Sequence, residues 1–173
     1  MIILATLAHA QSLQFMLEQT VLHTYPFYYA KGVVDFFISR HNLLAIQEDI
    51  MRHQVYVYEK DDEVIGSITI KEDEIYRFFV LPEYQHMGYG MQLLRFAEEQ
   101  FIEKGIEIRL DASLPSKDLF LSHGYKERAY RKVQLDTGEF YCYDVMIKQQ
   151  EKNIESQNVR SSKYSFQIME KSV

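Results

Sequence analysis

The sequence has few of the residues that mark secreted, metal-binding or nucleic-acid-binding proteins. Its one cysteine, Cys142, allows no internal disulfide, and no cluster of cysteine and histidine has metal-ligand spacing. Its 19 basic residues are outnumbered by 25 acidic ones, for a formal net charge of −6. Proteins that bind nucleic acid need Lys and Arg in excess, because these residues neutralise the phosphates. We therefore expect a cytoplasmic protein that holds no metal and binds no nucleic acid.

Long apolar runs are also missing. No segment approaches the roughly 20 apolar residues that a membrane-spanning helix needs, so we expect no contact with membranes. The stretch from Met1 to Ala10, MIILATLAHA, ends in an Ala-x-Ala pattern like that of a cleaved signal. It lacks a positively charged first region, however, and its apolar run is short. We interpret it as a strand that leads into a helix.

The composition supplies enough apolar material for one domain. The chain has 173 residues, of which 47% are hydrophobic and 14% aromatic. Apolar residues at helical spacing predict helices, and β-branched or aromatic runs between charged turns predict strands. The predicted helices cover residues 8–25, 32–41, 43–51, 88–104 and 115–123, and the predicted strands cover residues 2–7, 54–60, 64–70, 74–80, 106–111, 125–135 and 139–148.

The order of these segments predicts the fold class. Three strands over residues 54–80 form an antiparallel meander, and residues 125–148 form a final hairpin. The strand-helix-strand unit over residues 74–111 is a crossover connection, so its two strands should be parallel neighbours. We expect an α/β (α+β) domain over residues 1–148, with a mixed, mostly antiparallel sheet flanked by helices and containing one parallel junction.

Residues 149–173 are polar and carry no clear domain pattern. Tyr164, Phe166 and Ile168 nevertheless alternate with polar neighbours, as residues of a half-buried strand do. Two interpretations stay open for this tail. One is a late strand that pairs with a sheet edge of this chain or, in a homodimer, of a second copy. The other is a disordered tail.

The stretch VLPEYQHMGYGMQLL, from Val80 to Leu94, places two glycines between a strand and the start of a helix. Such a loop exposes unpaired backbone N–H groups at the positive end of the helix dipole, which suits a pyrophosphate. A plain turn would use the same residues. A phosphate-binding P-loop is excluded because no Gly-Lys-Ser/Thr follows. A dinucleotide site has some support from Asp111 about 20 residues downstream, but the third glycine is absent.

A more specific resemblance rests on the spacing V-x-P-x-x-Q-x-x-G-x-G, formed by Val80, Pro82, Gln85, Gly88 and Gly90. This pattern resembles the acetyl-CoA signature of the GNAT superfamily of N-acetyltransferases, and the order of elements over most of the chain is similar to that fold. The segment ASLPSKDLFLSHGYKE resembles a second family segment, in which a short helix ends in a glycine-aromatic pair.

The resemblance implies how acetyl-CoA would bind. In the family the two parallel strands splay apart, so that the first strand offers its backbone to the pantetheine arm while the loop holds the pyrophosphate through N–H groups. A polar residue after the second strand also contacts the cofactor. The implied cofactor-binding residues are Phe78, Phe79, Val80, Gln85, His86, Met87, Gly88, Tyr89, Gly90, Met91 and Ser113.

The resemblance also suggests catalytic residues. Glu74 matches the position of the general-base glutamate in the histone-acetyltransferase branch of the family, although a solvated charge in the turn KEDE explains it equally well. Many members of the family carry a tyrosine that acts as the general acid. The matching residue here is Phe120, which cannot donate a proton. Tyr125 is our candidate substitute, with Tyr76 and Tyr143 as alternatives, and a thiolate could also leave without an acid.

These observations predict an enzyme that moves an acetyl group from acetyl-CoA to a primary amine of a small molecule or peptide. The acceptor should lie across the sheet from the cofactor, between the first two helices and the final hairpin. The acidic balance of the chain favours a cationic acceptor. An alternative function is that of a catalytically silent module that binds or senses acyl-CoA, because Phe120 replaces the expected tyrosine.

Overall fold

A computed structural model of the chain describes residues 1–149, except for the side chains of residues 103 and 104. The predicted late strand at residues 164–169 lies outside the described residues. The strands are β1 (Ile2–Leu4), β2 (Val55–Lys60), β3 (Glu63–Lys71), β4 (Glu74–Val80), β5 (Ile108–Ser113), β6 (Lys126–Gln134) and β7 (Phe140–Lys148). The helices are α1 (Ala10–Thr24), α2 (Lys31–Arg40), α3 (Leu43–Met51), α4 (Tyr89–Lys104) and α5 (Lys117–Ser122).

The seven strands form one sheet in the order β1-β2-β3-β4-β5-β7-β6. All neighbours are antiparallel except β4 and β5, which are joined through α4 and run parallel. The predicted mixed sheet with one parallel junction is therefore confirmed. A doubly wound dinucleotide fold is excluded, because the chain after β5 returns as the antiparallel hairpin of β6 and β7 rather than as further crossovers.

Helices cover both faces of the sheet. On one face, which we call the α4 face, Leu93, Leu94 and Phe101 of α4 are fully buried against the sheet. On the other face, which we call the α1 face, Leu13 of α1 and Ile46 of α3 are fully buried. Apolar residues at helical spacing are what hold these helices in place. None of the helices within residues 1–149 combines the length and the apolar character needed to cross a bilayer.

Most predicted bounds differ from the structure by one to three residues, and two of these differences have a clear local cause. The first strand ends at Leu4 rather than Leu7, because Thr6 begins a short 3-10 turn in which its N–H donates to Nδ1 of His9 at 2.8 Å. The second strand of the crossover begins at Ile108, two residues later than predicted, since Gly105 ends α4 with a φ of 66°. Only a glycine adopts that left-handed conformation without strain.

A β-bulge interrupts β4 in its middle. Ile68 of β3 lies opposite both Arg77 and Phe78, because the register between the two strands shifts by one residue there. Arg77 has a φ of 45°, and its carbonyl accepts a hydrogen bond from the Ser67 hydroxyl at 3.0 Å. A bulge bends a strand and increases its twist. It therefore turns the second half of β4 away from the strand that follows.

Candidate functional site

Strands β4 and β5 separate beyond their first residues. Their paired residues are Glu74 with Arg109 and Ile75 with Leu110, at the start of each strand. Beyond Ile75, β4 pairs only with β3, and β5 pairs only with β7. The parallel junction is thus closed at one end and open at the other, which leaves a wedge-shaped gap in the sheet.

The open edge of β4 offers backbone groups to this gap. The N–H of Leu81 donates to Ile65 of β3 at 2.9 Å, and successive residues of a strand point their backbone groups in opposite directions. The backbone of Phe79 therefore faces β3, whereas that of Phe78 and of Val80 faces the gap. Gln85 reaches back to donate its side-chain amide to the carbonyl of Val80 at 2.9 Å. The N–H groups of Phe78 and Val80 thus remain open to a ligand.

The loop after β4 ends at the first turn of α4 with its amides free. Within residues 1–149, no protein acceptor has hydrogen-bond geometry to the N–H groups of residues 86–91. A helix leaves its first N–H groups unpaired, and its dipole makes that end positive. Gln85 holds the loop to β4, so these amides are fixed in place. They form a positive cradle that suits the diphosphate of a nucleotide cofactor.

The two glycines of the loop keep this cradle open. Gly88 caps α4 with a φ of 86°, and a Cβ atom there would meet nothing within 4 Å. A Cβ atom on Gly90 would lie 3.4 Å from the ring of Phe78. Both positions line the cavity described next, so a larger side chain at either would occupy space that a phosphate needs.

A cavity of about 880 Å³ occupies the gap and is lined by residues from both faces of the sheet. Of the predicted cofactor-binding residues, nine line it: Phe78, Phe79, Val80, Gln85, His86, Gly88, Gly90, Met91 and Ser113. Met87 and Tyr89 do not. Met87 is exposed, and the ring of Tyr89 packs against Tyr58 with 5.0 Å between centroids. These two residues present only their backbone N–H groups to the loop.

Ser113 ends β5 at the wall of this cavity. Its hydroxyl accepts a hydrogen bond from Tyr25 at 3.1 Å and contacts the hydroxyl of Ser116 at 3.1 Å. Burial raises the pKa of Tyr25 to about 12, so this phenol is a hydrogen-bond donor at neutral pH. Ser113 thus connects the end of α1 to the second half of the sheet, in addition to lining the cavity.

The bulge residue Arg77 lies at the floor of the cavity in a buried polar network. Its guanidinium contacts the Asp49 carboxylate, which also pairs with Lys71 at 2.9 Å. Its Nε donates to Nδ1 of His41 at 3.2 Å. Arg77, Asp49 and His41 are all buried. Because a buried charge needs both a counter-ion and hydrogen bonds, these residues fix one another and hold the bulge.

His41 is held as a neutral donor by this network. Its Nδ1 accepts from Arg77, so the single proton of the neutral ring lies on Nε2. Burial, and then the charge of Arg77, lower the pKa of His41 from its usual 6.5 to about 3. His41 lines the cavity on the α1 face. Its ring therefore presents an N–H group to the cavity at any pH near neutrality.

Two carboxylates, the partly buried Glu74 and the more exposed Asp111, lie on the α1 face near the closed end of the junction. Glu74 begins β4 and pairs in register with Arg109, and Arg109 contacts the Asp111 carboxylate at 3.3 Å. Burial raises the pKa of both Glu74 and Asp111, while Arg109 opposes that rise. Only Asp111 lines the cavity. Of the two, it is the carboxylate that an acceptor in the gap would reach directly.

The tyrosines that we considered as proton donors divide between the two faces. The Tyr125 hydroxyl is buried on the α4 face, next to the Glu98 carboxylate. Burial and the Glu98 carboxylate raise the pKa of Tyr125. Tyr76 and Tyr143, by contrast, line the cavity. Phe120 lines it too and packs between Phe78 and Tyr125, with centroid distances of 5.7 and 5.4 Å.

Sequence reasoning missed His41, Arg77 and Asp49 as parts of this site. A charged residue inside the apolar run EIYRFFV was an available signal, because an arginine in a buried strand needs a partner. Nothing in the sequence identifies which acidic residue that partner is. Helices α1 and α2 and the final hairpin all contribute residues to the cavity. No metal-binding group of three side chains occurs in the described part of the chain.

Comparisons with known proteins agree with this geometry. The family model for the acetyltransferase (GNAT) domain matches residues 23–136. The S-alkylcysteine N-acetyltransferase of Bacillus subtilis (strain 168) is 30% identical over 111 residues, which span 56% of this chain and 62% of that protein. The chain thus matches less than two thirds of the length of this curated relative.

Solved structures share the fold. The PaiA N-acetyltransferase of Thermoplasma acidophilum, solved in complex with coenzyme A, aligns with a TM-score of 0.70 at 22% identity, over 87% of this chain and 98% of that one. A GCN5-related N-acetyltransferase of Rhodopseudomonas palustris aligns with a TM-score of 0.80 at 16% identity, over 87% and 95% of the two chains. Together with the family match over residues 23–136, the open junction and the free loop amides identify this chain as a member of the GNAT acetyltransferase family.

Proposed function

We propose that the protein transfers an acetyl group from acetyl-CoA to the primary amine of a small molecule or peptide. The proposal rests mainly on the open β4–β5 junction. Its free N–H groups lie next to the unpaired backbone N–H groups at the start of α4. Acetyl-CoA supplies a thioester, whose carbon–sulfur bond breaks as the amine nitrogen bonds to the carbonyl carbon. The relative from Bacillus subtilis, an S-alkylcysteine N-acetyltransferase, supports an amine acceptor.

The binding residues follow from the cavity. The amides of residues 86–91 would hold the pyrophosphate, and the N–H groups of Phe78 and Val80 would hold the pantetheine arm as a neighbouring strand would. The fit is favourable because a Cβ atom at Gly88 meets nothing within 4 Å, so the cradle has room for phosphate oxygens. Gln85 contributes by holding the loop to β4.

Proton removal from the acceptor falls to the carboxylates of the α1 face. An ammonium group must lose a proton before its nitrogen can attack. We propose that Asp111, which lines the cavity, takes this proton, and that Glu74 behind it assists through their shared neighbour Arg109. Burial raises the pKa of both carboxyl groups, which makes each a better base than a solvated carboxylate.

The leaving thiolate needs at most one donor. Tyr143 and Tyr76 line the cavity and could serve, whereas no contact supports the same role for Tyr125, whose hydroxyl faces the core.

We also retain a cytoplasmic location and the absence of nucleic-acid and membrane partners as proposals, supported by the net charge of −6 and the single cysteine. A homodimer remains a proposal as well, as does the division into a domain over residues 1–148 and a tail.

Calorimetric titration with CoA tests the proposal directly. We expect saturable binding, and no detectable heat at millimolar CoA would contradict it. Turnover is then measured as thiol release from acetyl-CoA in the presence of a panel of primary amines. Binding without thiol release would favour a silent acyl-CoA-binding module, the function that Phe120 suggests by replacing a donor with a phenyl ring.

A further inference from the structure

The acceptor half of the cavity has an apolar wall. Phe36 and Phe37 of α2 face Tyr141 of β7, Tyr143 lies beside Tyr141, and all four line the cavity. The rings of Phe37 and Tyr141 meet edge to face with 4.9 Å between centroids, and those of Tyr141 and Tyr143 stack at 4.8 Å. We call these four residues the aromatic wall. Such a surface accepts an apolar, aromatic or thioether side chain.

A cation lies at the edge of this wall. Arg40, one turn after Phe36 on α2, holds its guanidinium 5.9 Å from the Phe36 ring and lines the cavity. Its guanidinium pairs with no acidic side chain of residues 1–149, although the chain is rich in acidic residues. Arg40 is exposed to solvent at this edge of the cavity, and a guanidinium there can bind a planar anion such as a carboxylate.

The next residue adds a second donor. His41 lines the same cavity, and its Nε2–H is the free donor of a ring whose other nitrogen is held by Arg77 at 3.2 Å. Because His41 cannot turn without losing that bond, its N–H points in a fixed direction. Because Arg40 and His41 line the same cavity, a carboxylate bound there would have both a guanidinium and an N–H donor available.

The opposite charge lies toward the gap. Asp111 is on β5, lines the same cavity and bears a carboxylate. An ammonium group placed there has its nitrogen beside the opening in the sheet. The cavity therefore presents a carboxylate toward the gap, a cation and a donor toward α2, and an apolar wall between α2 and β7. This arrangement matches a zwitterion that carries an apolar side chain.

We infer that the acceptor is an amino acid with an apolar or thioether side chain, whose carboxylate binds Arg40 and His41 while its side chain lies against the aromatic wall. The inference rests on the proposed function and specifies its substrate class. The amine nitrogen gains the acetyl group and loses two of its three ammonium protons. The sulfur keeps the electron pair of the broken bond and takes up one of these protons, and the other is released. The products are an N-acetyl amino acid and CoA.

The test compares acceptors that differ only in the carboxylate. L-Phenylalanine and L-methionine are each assayed beside their amides and their decarboxylated amines, with thiol release from acetyl-CoA as the readout. We expect kcat/KM for the free acids to exceed that for the amides and amines by roughly 10- to 100-fold, the range of a charge-assisted hydrogen bond. Arg40→Gln should reduce this ratio to about one.

Arg95→Gln is the matched control, because Arg95 is exposed on α4 and lines no part of the cavity. It should keep the preference for free acids. Amides and amines that react as well as the acids would overturn the inference while leaving the proposed function intact. The inference also fails if CoA binds but neither acid reacts. Absence of CoA binding would instead contradict the proposed function itself.

Discussion

At the scale of single residues, the site depends on groups whose charge state is set by what surrounds them. Burial, and then the charge of Arg77, keep His41 neutral, and Asp49 holds Arg77 by neutralising its charge. On the neighbouring strand, burial raises the pKa of Asp111, while Arg109 keeps it from rising further. A hydrogen-bond donor and the carboxylate that we propose as the base thus lie on opposite sides of the gap before any substrate binds.

The assignment of the base is tested by replacing each carboxylate with its amide. We expect Asp111→Asn to lower kcat/KM by roughly 10²- to 10⁴-fold, the usual contribution of a general base. Glu74→Gln should lower it less, because Glu74 does not line the cavity. In the wild type, activity should fall as the pH drops through the raised pKa of Asp111, since the protonated form cannot accept a proton.

The measurement is kcat/KM as a function of pH for both variants and the wild type, together with the affinity of each for CoA. The acid limb of the profile should disappear in Asp111→Asn while CoA still binds. A larger loss in Glu74→Gln than in Asp111→Asn would assign the base to Glu74 alone.

His41 should make the fold sensitive to acid. In the unfolded chain His41 takes up a proton as the pH falls below 6.5, whereas in the folded protein its pKa is about 3. The unfolded state therefore binds more protons between these values, and the free energy of unfolding falls by about 1.4 kcal/mol per pH unit as the pH drops. His41→Asn removes this titration and still offers Arg77 an oxygen acceptor.

Urea unfolding at several pH values below 6.5 measures the effect. The stability of His41→Asn should decline less steeply with acid than that of the wild type, and His23→Asn, at an exposed position on α1, serves as the control. Identical slopes for His41→Asn and the wild type would mean that His41 is already protonated in the folded protein.

At the scale of elements, periodicity predicted the existence of nearly every helix and strand. Residues 43–51, for example, form a helix with the predicted bounds. The bulge in β4 could not be predicted, because EIYRFFV has the pattern of a regular strand and the left-handed turn at Arg77 depends on Asp49 and His41, which are distant in sequence. The gap was expected from the family resemblance alone, and the bulge supplies its physical cause.

The role of the loop between β4 and α4 in binding CoA can be tested by comparing substitutions of two glycines, one at each end of α4. Gly88 and Gly105 lie at opposite ends of α4, both with positive φ and both with open space where a Cβ atom would be. Replacing either by glutamate should cost roughly 1–2 kcal/mol of folding stability, because both side chains would be forced into a left-handed conformation. Gly88→Glu alone should abolish CoA binding, since its carboxylate would occupy and repel the phosphate site.

Calorimetry with CoA and urea unfolding, performed on both variants, separate the two effects. Gly105→Glu controls for strain, because it places the same side chain at the far end of the helix. If Gly88→Glu binds CoA as tightly as Gly105→Glu, the amides at the start of α4 are not the phosphate site.

At the scale of the whole molecule, the gap nearly divides the sheet into two halves. Strands β1 to β4 lie on one side, strands β5 to β7 on the other, and the strand pairing between them is confined to the start of β4 and β5. Other contacts must therefore hold the halves at the spacing that a cofactor needs. Tyr29, which follows α1, accepts a hydrogen bond from the N–H of Leu114 at 2.7 Å and donates to the carbonyl of Cys142 at 2.9 Å.

Tyr29→Phe should loosen this connection. It leaves a part-buried N–H and a part-buried carbonyl without the Tyr29 hydroxyl, and the cost should lie at or below the roughly 1–3 kcal/mol of a fully buried group. Tyr28→Phe is the matched control, because Tyr28 is 51% exposed and its hydroxyl bonds to no group of the described chain. CoA that spans the gap would contact both halves, so at 100 times its Kd it should return about 2.7 kcal/mol of stability to the Tyr29 variant. Thermal unfolding of both variants with and without CoA measures the stability lost through the substitution and the stability gained from CoA. Equal Tm values for Tyr29→Phe and Tyr28→Phe would show that the packing of α4 across the sheet, and not the phenol of Tyr29, holds the two halves together.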